Sequence, residues 1–395
     1  MVSQQMAIKG LVAVKFFIVA AWLGPQVVGW VTLVLLILNV LEELTNTGLM
    51  QAGIHSPYRL TVLQAGAWIA LHILRGALMT VSLLVLAFGL SEWQGESALI
   101  PYLSIAALIP LVKAMSSPGL VEASRQRKFG TLMLVEGLPY AIDLLVTLLL
   151  LKSGGTGHAV VWGVVARESM RMAASWILFP LWGRPHFRWR TIDQLIDYGK
   201  WITKTSILIV VLNQLDKLIV AVMLGTFELG IYQTASKIAQ LLVTDVPAAY
   251  GQYLLPVLSD LFKKKKEGFL GVCRRSFQFV ALWVLMAIVM VLSGALEILM
   301  HFLGKDWNAA LDLIPWMLFP MSVGAFQVVA VTIAYAVGLP SAVTKATRLQ
   351  FLVLALFAPL GIFCCEIQGL ILSLALAGCL SFAVILKLSD GRVRG

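Results

Sequence analysis

Long apolar stretches without a single charge recur along this chain, and they constrain its fold more than any motif does. Val81–Gly89 lies inside one such stretch, and Phe351–Cys365 forms another. A bilayer core about 30 Å thick takes about 20 helical residues to cross. Backbone groups at that depth must find hydrogen bonds within the protein, so an uncharged run of this length crosses as a helix. Composition agrees: 59% of the 395 residues are hydrophobic and 13% charged, against about 25% charged in soluble domains. The fold class read from this is all-α, a polytopic membrane protein, and soluble-domain chemistry is excluded.

Apolar windows place spans near 6–23, 30–50, 66–90, 97–117, 130–151 and 157–181, and again near 201–223, 229–257, 274–301, 309–338, 349–364 and 368–387. The loops test that count of twelve. The odd-numbered loops hold only Lys152 and Lys305. The even-numbered loops and the C-terminus hold Arg59, Arg125, Arg127, Lys128, Arg184, Arg188, Arg190, Lys200, the run Lys263–Lys266, Lys345, Arg348, Arg392 and Arg394. Such alternation is the positive-inside bias, and it puts both termini in the cytoplasm. It also explains the formal charge of +10 without nucleic acid, since the basic residues sit in short tracts between spans. The run Lys263–Lys266 reads as a topology anchor against anionic headgroups. The organisation expected is an N-terminal six-helix lobe over 1–182, a cytoplasmic amphipathic linker over 183–200, and a C-terminal six-helix lobe over 201–395.

An internal repeat supports two lobes. "WLGPQVVGW" follows the first span and "MLGTFELGIY" the seventh, so that Leu23, Gly24 and Gly29 match Leu224, Gly225 and Gly230 at a constant offset of 201. An even number of spans separates the copies. The lobes therefore share one orientation and are related by a pseudo-two-fold axis along the membrane normal.

Charges inside spans cost at least ~2.5 kcal/mol each on insertion scales, so each marks a functional candidate. In the second span Asn39, Glu42, Glu43 and Asn46 follow a helical stripe, and in the eighth Gln233, Ser236, Lys237, Gln240 and Thr244 form another. At the repeat offset Gln240 matches Asn39 and Thr244 matches Glu43, which places a hydrophilic cavity between the halves; helix-to-helix hydrogen bonding is the competing explanation. In the sixth span Arg167 and Arg171 lie one turn apart beside Glu168. Guanidinium forks suit an anionic ligand, and an internal ion pair with Glu168, Glu136 or Asp143 fits equally. Arg75, Lys204, Lys217 and Lys237 are further cationic candidates for substrate binding, whereas Lys15 is expected to snorkel. In the seventh span Asn213, Asp216 and Lys217 share a face, and Asp216 with Lys217 reads as a self-neutralising pair or a titratable switch. Asp143, Asp216 and Asp245 are the carboxylates available for coupling. The four cysteines, of which Cys364 and Cys365 are adjacent, have no metal-ligand spacing, the five histidines are scattered, and no catalytic or phosphate-loop motif occurs.

The turn "LGPQVVGW", the stretch "DKLIVAVMLGTFELGIYQTASKIAQLL", and the fragments "LLPVLSDLF", "GKDWNAALDLIPWM" and "AVGLPSAVTKATRLQ" together resemble polysaccharide exporters of the multidrug, oligosaccharidyl-lipid and polysaccharide (MOP) transporter superfamily, the Wzx-type flippases. The order of the fragments holds across nearly the whole chain. Trp22 stands where an Arg is common in that family. The resemblance implies two six-helix lobes around a central cavity, in the bacterial inner membrane. It implies a non-enzymatic flippase that carries undecaprenyl-diphosphate-linked oligosaccharide across by alternating access. No cofactor is implied beyond a coupling proton or sodium ion. Membrane lipids are the expected surroundings, and a glycan polymerase and a chain-length regulator the expected partners. A drug or cation antiporter of the same superfamily is the alternative that Glu42 and Glu43 keep open. A membrane-embedded glycan polymerase or ligase fits less well, because no outer loop is long enough for a catalytic domain.

Overall fold

The computed structural model describes residues 2–46, 50, 61–94, 98–126, 128–187, 212, 214–264 and 268–393. Among these every regular element is helical. The elements are α1 (Val2–Trp22), α2 (Pro25–Leu44), α3 (Val62–Gln94), α4 (Leu99–Ala106), α5 (Leu108–Ala114), α6 (Gly119–Arg125), α7 (Phe129–Lys152) and α8 (His158–Leu178). Residues 214–223 are helical. Beyond them come α9 (Thr226–Val243), α10 (Asp245–Lys263), α11 (Phe269–Leu292), α12 (Ala295–Leu303), α13 (Asn308–Ala336) and α14 (Pro340–Val393).

Among the described residues six helices are long and apolar enough to cross a membrane. A seventh is gained if α4 and α5, bent by 63° from α6, count as one broken span. The expected second span to residue 50 is shorter in the structure, because α2 ends at Leu44. The expected eighth span is divided at Thr244 into α9 and α10. Within α14 the backbone leaves helical geometry at Cys365 and Glu366, inside the loop expected between the last two spans. There Gly361 and Gly369 lie so close that a Cβ on either would meet the other's carbonyl. Ser373 Oγ, which donates to Phe357 O at 2.9 Å, ties the two arms together.

Glycine ends several helices for a stereochemical reason. Gly154 takes φ +87° after α7. Gly155 N–H then reaches back to Leu150 O at 2.8 Å and Gly154 N–H to Leu151 O at 3.2 Å, which satisfies the last carbonyls of the helix. Gly338, at φ +76°, ends α13 the same way, with Leu339 N–H bonded to Ala334 O at 2.8 Å.

The chain forms two compact units. Unit 1 comprises Met1–Leu23 and Trp30–Val211, and unit 2 comprises Gly24–Gly29 and Leu212–Gly395. The turn Gly24–Gly29, expected to belong to the first lobe, thus groups with the second half of the chain. In unit 1, α3 packs on α4 and α5, and α8 packs on α7, α4 and α5. Leu83, Leu99 and Leu103 are fully buried there, and Tyr102 stacks on His158 with ring centres 4.0 Å apart. In unit 2, α13 is the central helix, packed against α9, α10, α11 and α14, with Leu258, Val280, Ala325 and Val329 in its core. Of the expected linker, residues 188–200 lie outside the described residues. Residues 181–187 are non-helical and pass over the start of α3, where Gly183 and Gly66 are in backbone contact.

Candidate functional site

Two polar groupings in unit 1 and one in unit 2 contain most of the candidate residues. The first grouping grows from the packing of α7 on α8. Gly163 has no side chain where Asp143 and Thr147 need room, and a Cβ there would collide with both. Asp143 is consequently almost wholly buried, at 3% exposure. Lys15 on α1 donates to its Oδ1 and also to Val160 O at 3.4 Å, and Arg167 Nη1 lies 3.7 Å from its Oδ2. The expectation that Lys15 snorkels is corrected: its side chain is 12% exposed and held by a carboxylate. Charge neutralisation at depth won over an escape to water.

The same network extends along α8. Arg167 Nε donates to Glu168 Oε1 at 3.0 Å, and the Arg167 guanidinium lies 5.0 Å from the Tyr140 ring centre. Arg171 Nη2 donates to Glu136 Oε1 at 2.7 Å, while its Nη1 is 3.8 Å from Glu168 Oε2. Lys15, Arg167 and Arg171 therefore face Asp143, Glu168 and Glu136, three charges of each sign. Of the two readings the sequence allowed for the arginine pair, the structure displays the ion pairs.

The second grouping is a cavity of about 250 Å³ in unit 1, with Glu42, Glu43, Asn46, Arg75, Lys113 and Arg171 among its lining residues. A close approach of α3 and α5 at Gly76, where a Cβ would press on Ala114 and the Pro110 carbonyl, brings Arg75 and Lys113 to one place. Lys113 Nζ pairs with Glu42 Oε2 at 2.7 Å, and Asn46 Nδ2 donates to Glu43 Oε2 at 3.2 Å. Arg75 has a local task as well. Its Nε donates to Thr45 Oγ1 at 3.0 Å and its Nη2 to the Glu42 carbonyl. A guanidinium at the C-terminus of α2 meets both the unused carbonyls and the negative end of the helix dipole. Arg75→Leu should therefore cost about 1.5–3 kcal/mol, the worth of charge-assisted hydrogen bonds. Thermal melting of the purified protein would read that as a lowered midpoint, and an unchanged midpoint would refute the capping role.

Trp68 and His72 also line the cavity and stack at 4.8 Å with their planes 11° apart. Neither these rings nor Lys113 stood out in the sequence. Lys113 lies at the end of an apolar segment, and only the fold sets it against Glu42. Asn39, expected on the same stripe, is exposed and is not among the residues that line this cavity.

In unit 2 the stripe on α9 is present: Gln233, Lys237 and Gln240 are partly buried and Ser236 is buried. Thr244 Oγ1 donates to the Gln240 carbonyl at 3.0 Å, at the junction where Asp245 opens α10. Asp216 accepts from Tyr232 Oη at 2.7 Å, and Lys217 Nζ reaches Gln214 Oε1 at 3.5 Å. Asp216 and Lys217, which the sequence allows as a self-neutralising pair or a titratable switch, thus have separate partners here. Asp216 Oδ1 and Gln233 Oε1 are buried without a hydrogen-bond partner. Asn213 and Lys204 lie outside the described residues. Among the described residues no group of three or more His, Cys, Asp or Glu could hold a metal ion.

Comparison with known structures finds the same fold in transporters. A multidrug-resistance MATE family transporter of the MOP superfamily, in its inward-facing conformation, superposes with a TM-score of 0.71 at 10% identity, over 100% of this chain and 96% of the other. A MOP superfamily transporter from Pyrococcus furiosus, described as having a binding pocket of reversed polarity, gives 0.61 at 12% identity, over 100% and 94%. A Vibrio cholerae MATE transporter gives 0.58 at 14% identity, over 98% of each chain. No curated protein matches in sequence. The model of one family, polysaccharide biosynthesis protein, matches residues 18–312. That match spans well over half of the chain, which therefore belongs to the polysaccharide biosynthesis protein family and carries the fold of MOP-superfamily transporters.

Proposed function

We propose that this protein flips polyprenyl-diphosphate-linked oligosaccharides across the bacterial cytoplasmic membrane, by alternating access of two six-helix lobes with twelve spans and both termini in the cytoplasm. The observation that carries this reading is a charged, hydrogen-bonding cavity inside an apolar helical bundle, in a chain of a polysaccharide biosynthesis family. An oligosaccharide cannot cross hydrocarbon unaided, because each buried hydroxyl without a partner costs about 1–3 kcal/mol on protein scales. A polar passage between helices replaces the lost water. The cargo contacts proposed are Glu42, Glu43, Asn46, Arg75 and Arg171 in unit 1, with Lys217, Lys237, Gln233 and Gln240 in unit 2. Asp143, Asp216 and Asp245 are proposed for proton or sodium coupling.

A multidrug or cation antiporter is the second reading, favoured by Glu42 and Glu43 in the cavity and by the multidrug transporters that share the fold. Purified protein in proteoliposomes separates the two. A fluorescent prenyl-diphosphate oligosaccharide should become accessible to an impermeant quencher at a rate that depends on the protein, while efflux of a lipophilic cationic dye should match empty liposomes. Dye efflux without movement of the glycolipid would overturn the flippase reading.

A further inference from the structure

We propose that one rim of unit 2 is a binding surface for anionic phospholipid headgroups, formed by Arg274, Arg275, Lys345, Arg348 and Lys387. This goes beyond the flippase reading and takes from it only the cytoplasmic placement of the termini, which sets the rim in the inner leaflet.

Helix packing brings the five cations to one end of the unit. The start of α11 meets the end of α13 through Phe269, Cys273, Ala336 and Val337. One turn further along α11, Phe277 packs with Val343 and Ala346 on the first arm of α14 and with Phe382 and Ile385 on the second. The Phe277 and Phe382 ring centres are 6.3 Å apart. Gln327 on α13 holds the two arms level, since its Nε2 donates to Gln350 Oε1 at 3.3 Å and to Ser381 Oγ at 2.8 Å. From these fixed points, a helical rise of about 1.5 Å per residue puts the five cations in a slab roughly 6 Å thick. The headgroup layer on either side of a bilayer is about 5–8 Å thick.

The charges at this level are available. All five side chains are exposed, and the ion pairs among the described residues include none of them. Lys264, at the same end, differs in being held by Asp260 at 2.6 Å. Lys and Arg beside an anionic leaflet are attracted to it, each adding to the binding.

What lies above the cations selects a lipid over a soluble acidic partner. Seven and eleven residues after Arg275 come Leu282 and Met286. The same intervals lead from Lys345 to Leu352 and Leu356 and, in reverse, from Lys387 to Leu380 and Leu376. These intervals return to one face of a helix, and all six apolar side chains are exposed. Each helix thus presents a cation at the foot of an apolar stripe. A phospholipid has its parts in the same order, with acyl chains running from the phosphate toward the bilayer centre. A soluble acidic protein would engage the charges alone.

The test uses the full chain in nanodiscs of neutral phosphatidylcholine. A trace of phosphatidylglycerol or phosphatidylcholine with a diazirine in one acyl chain is added and photolysed, and labelled peptides are mapped. Peptides carrying Leu282, Leu352 or Leu380 should take at least about fivefold more label from phosphatidylglycerol, the advantage of one cation near an anionic surface. Arg274→Gln with Arg275→Gln, Lys345→Gln with Arg348→Gln, and Lys387→Gln should each remove that excess from the adjoining stripe. Lys305→Gln, an exposed cation at the opposite end of α13, should leave it unchanged. Should a variant not fold, the unaltered chain still decides, because the excess should vanish in about 1 M salt, where charges are screened beyond about 3 Å. Equal labelling by the two lipids, an excess indifferent to salt or to the rim variants, or an equal fall with Lys305→Gln would each overturn the proposal. Capture of soluble polyglutamate without a phosphatidylglycerol excess would overturn it too, in favour of an acidic protein partner. No step involves transport, so failure here leaves the flippase reading standing, and failure of the proteoliposome assay leaves this surface standing.

Discussion

Glu168→Gln should lower the stability of the protein by about 3–5 kcal/mol, the range for removing one member of a buried ion pair. Glu168 is 5% exposed and is shared by Arg167 at 3.0 Å and Arg171 at 3.8 Å. Taking away its charge leaves two guanidiniums on adjacent turns of α8 with Asp143 and Glu136 alone to balance them, and Asp143 is already engaged by Lys15. The expected readout is a large drop in membrane abundance and in the melting midpoint of whatever protein is recovered. Transport should fall only in proportion. Glu168→Gln combined with Arg167→Gln restores the balance of charge and should recover most of the loss. Glu136 has a side chain 42% exposed, so Glu136→Gln should cost about 1 kcal/mol or less. The opposite pattern, normal abundance with transport abolished and no recovery in the double variant, would turn the network from a structural tie into a site for anionic cargo.

How much of this was legible in the sequence depends on distance along the chain. Glu168, Glu136 and Asp143 could be named as partners of the arginines because helical spacing on α8, and a neighbouring span, bring them within reach. Lys15 could not be matched to Asp143, since the separation of 128 positions along the chain is bridged only by the packing of α1 on α7. The stripe Glu42, Glu43 and Asn46 was legible from its period, yet its surroundings were not. Lys113 and Trp68 reach it through the α3–α5 approach at Gly76, a contact between backbones that no periodicity announces. Helix ends were the weakest point. Hydropathy ran α2 on to residue 50, whereas Thr45 and Arg75 end it at Leu44 by taking up its carbonyls. Hydropathy also ran across Thr244 without a break.

Gly29→Ala and Gly230→Ala should each destabilise the protein by more than the ~1–3 kcal/mol typical of an overpacked side chain, because the atom each new methyl meets is backbone and cannot turn aside. A Cβ on Gly29 would fall on the Thr226 carbonyl, and one on Gly230 would fall on the Pro25 carbonyl. All four residues belong to unit 2. Adding the repeat offset of 201 to Pro25 gives Thr226, as adding it to Gly29 gives Gly230, so the contact maps onto itself. Small residues at such crossings let helix backbones touch, and Gln26 Nε2, donating to Thr226 Oγ1 at 2.6 Å, closes the contact from the side. The flanking glycines of the same repeat supply controls. Gly24 has no atom within 4 Å of an added Cβ, and Gly24→Ala should be nearly silent. Gly225 also has space, but its φ of +93° with ψ near 180° is a conformation almost reserved to glycine. Gly225→Ala should therefore cost about 1–3 kcal/mol through backbone strain alone. Melting midpoints and membrane abundance of the four variants should rank Gly24→Ala, then Gly225→Ala, then the two crossing variants with the deepest loss. A Gly29→Ala or Gly230→Ala protein as stable as the Gly24→Ala protein would mean that the helices separate freely at this point, and that the repeated glycine owes its place in both halves to something other than contact.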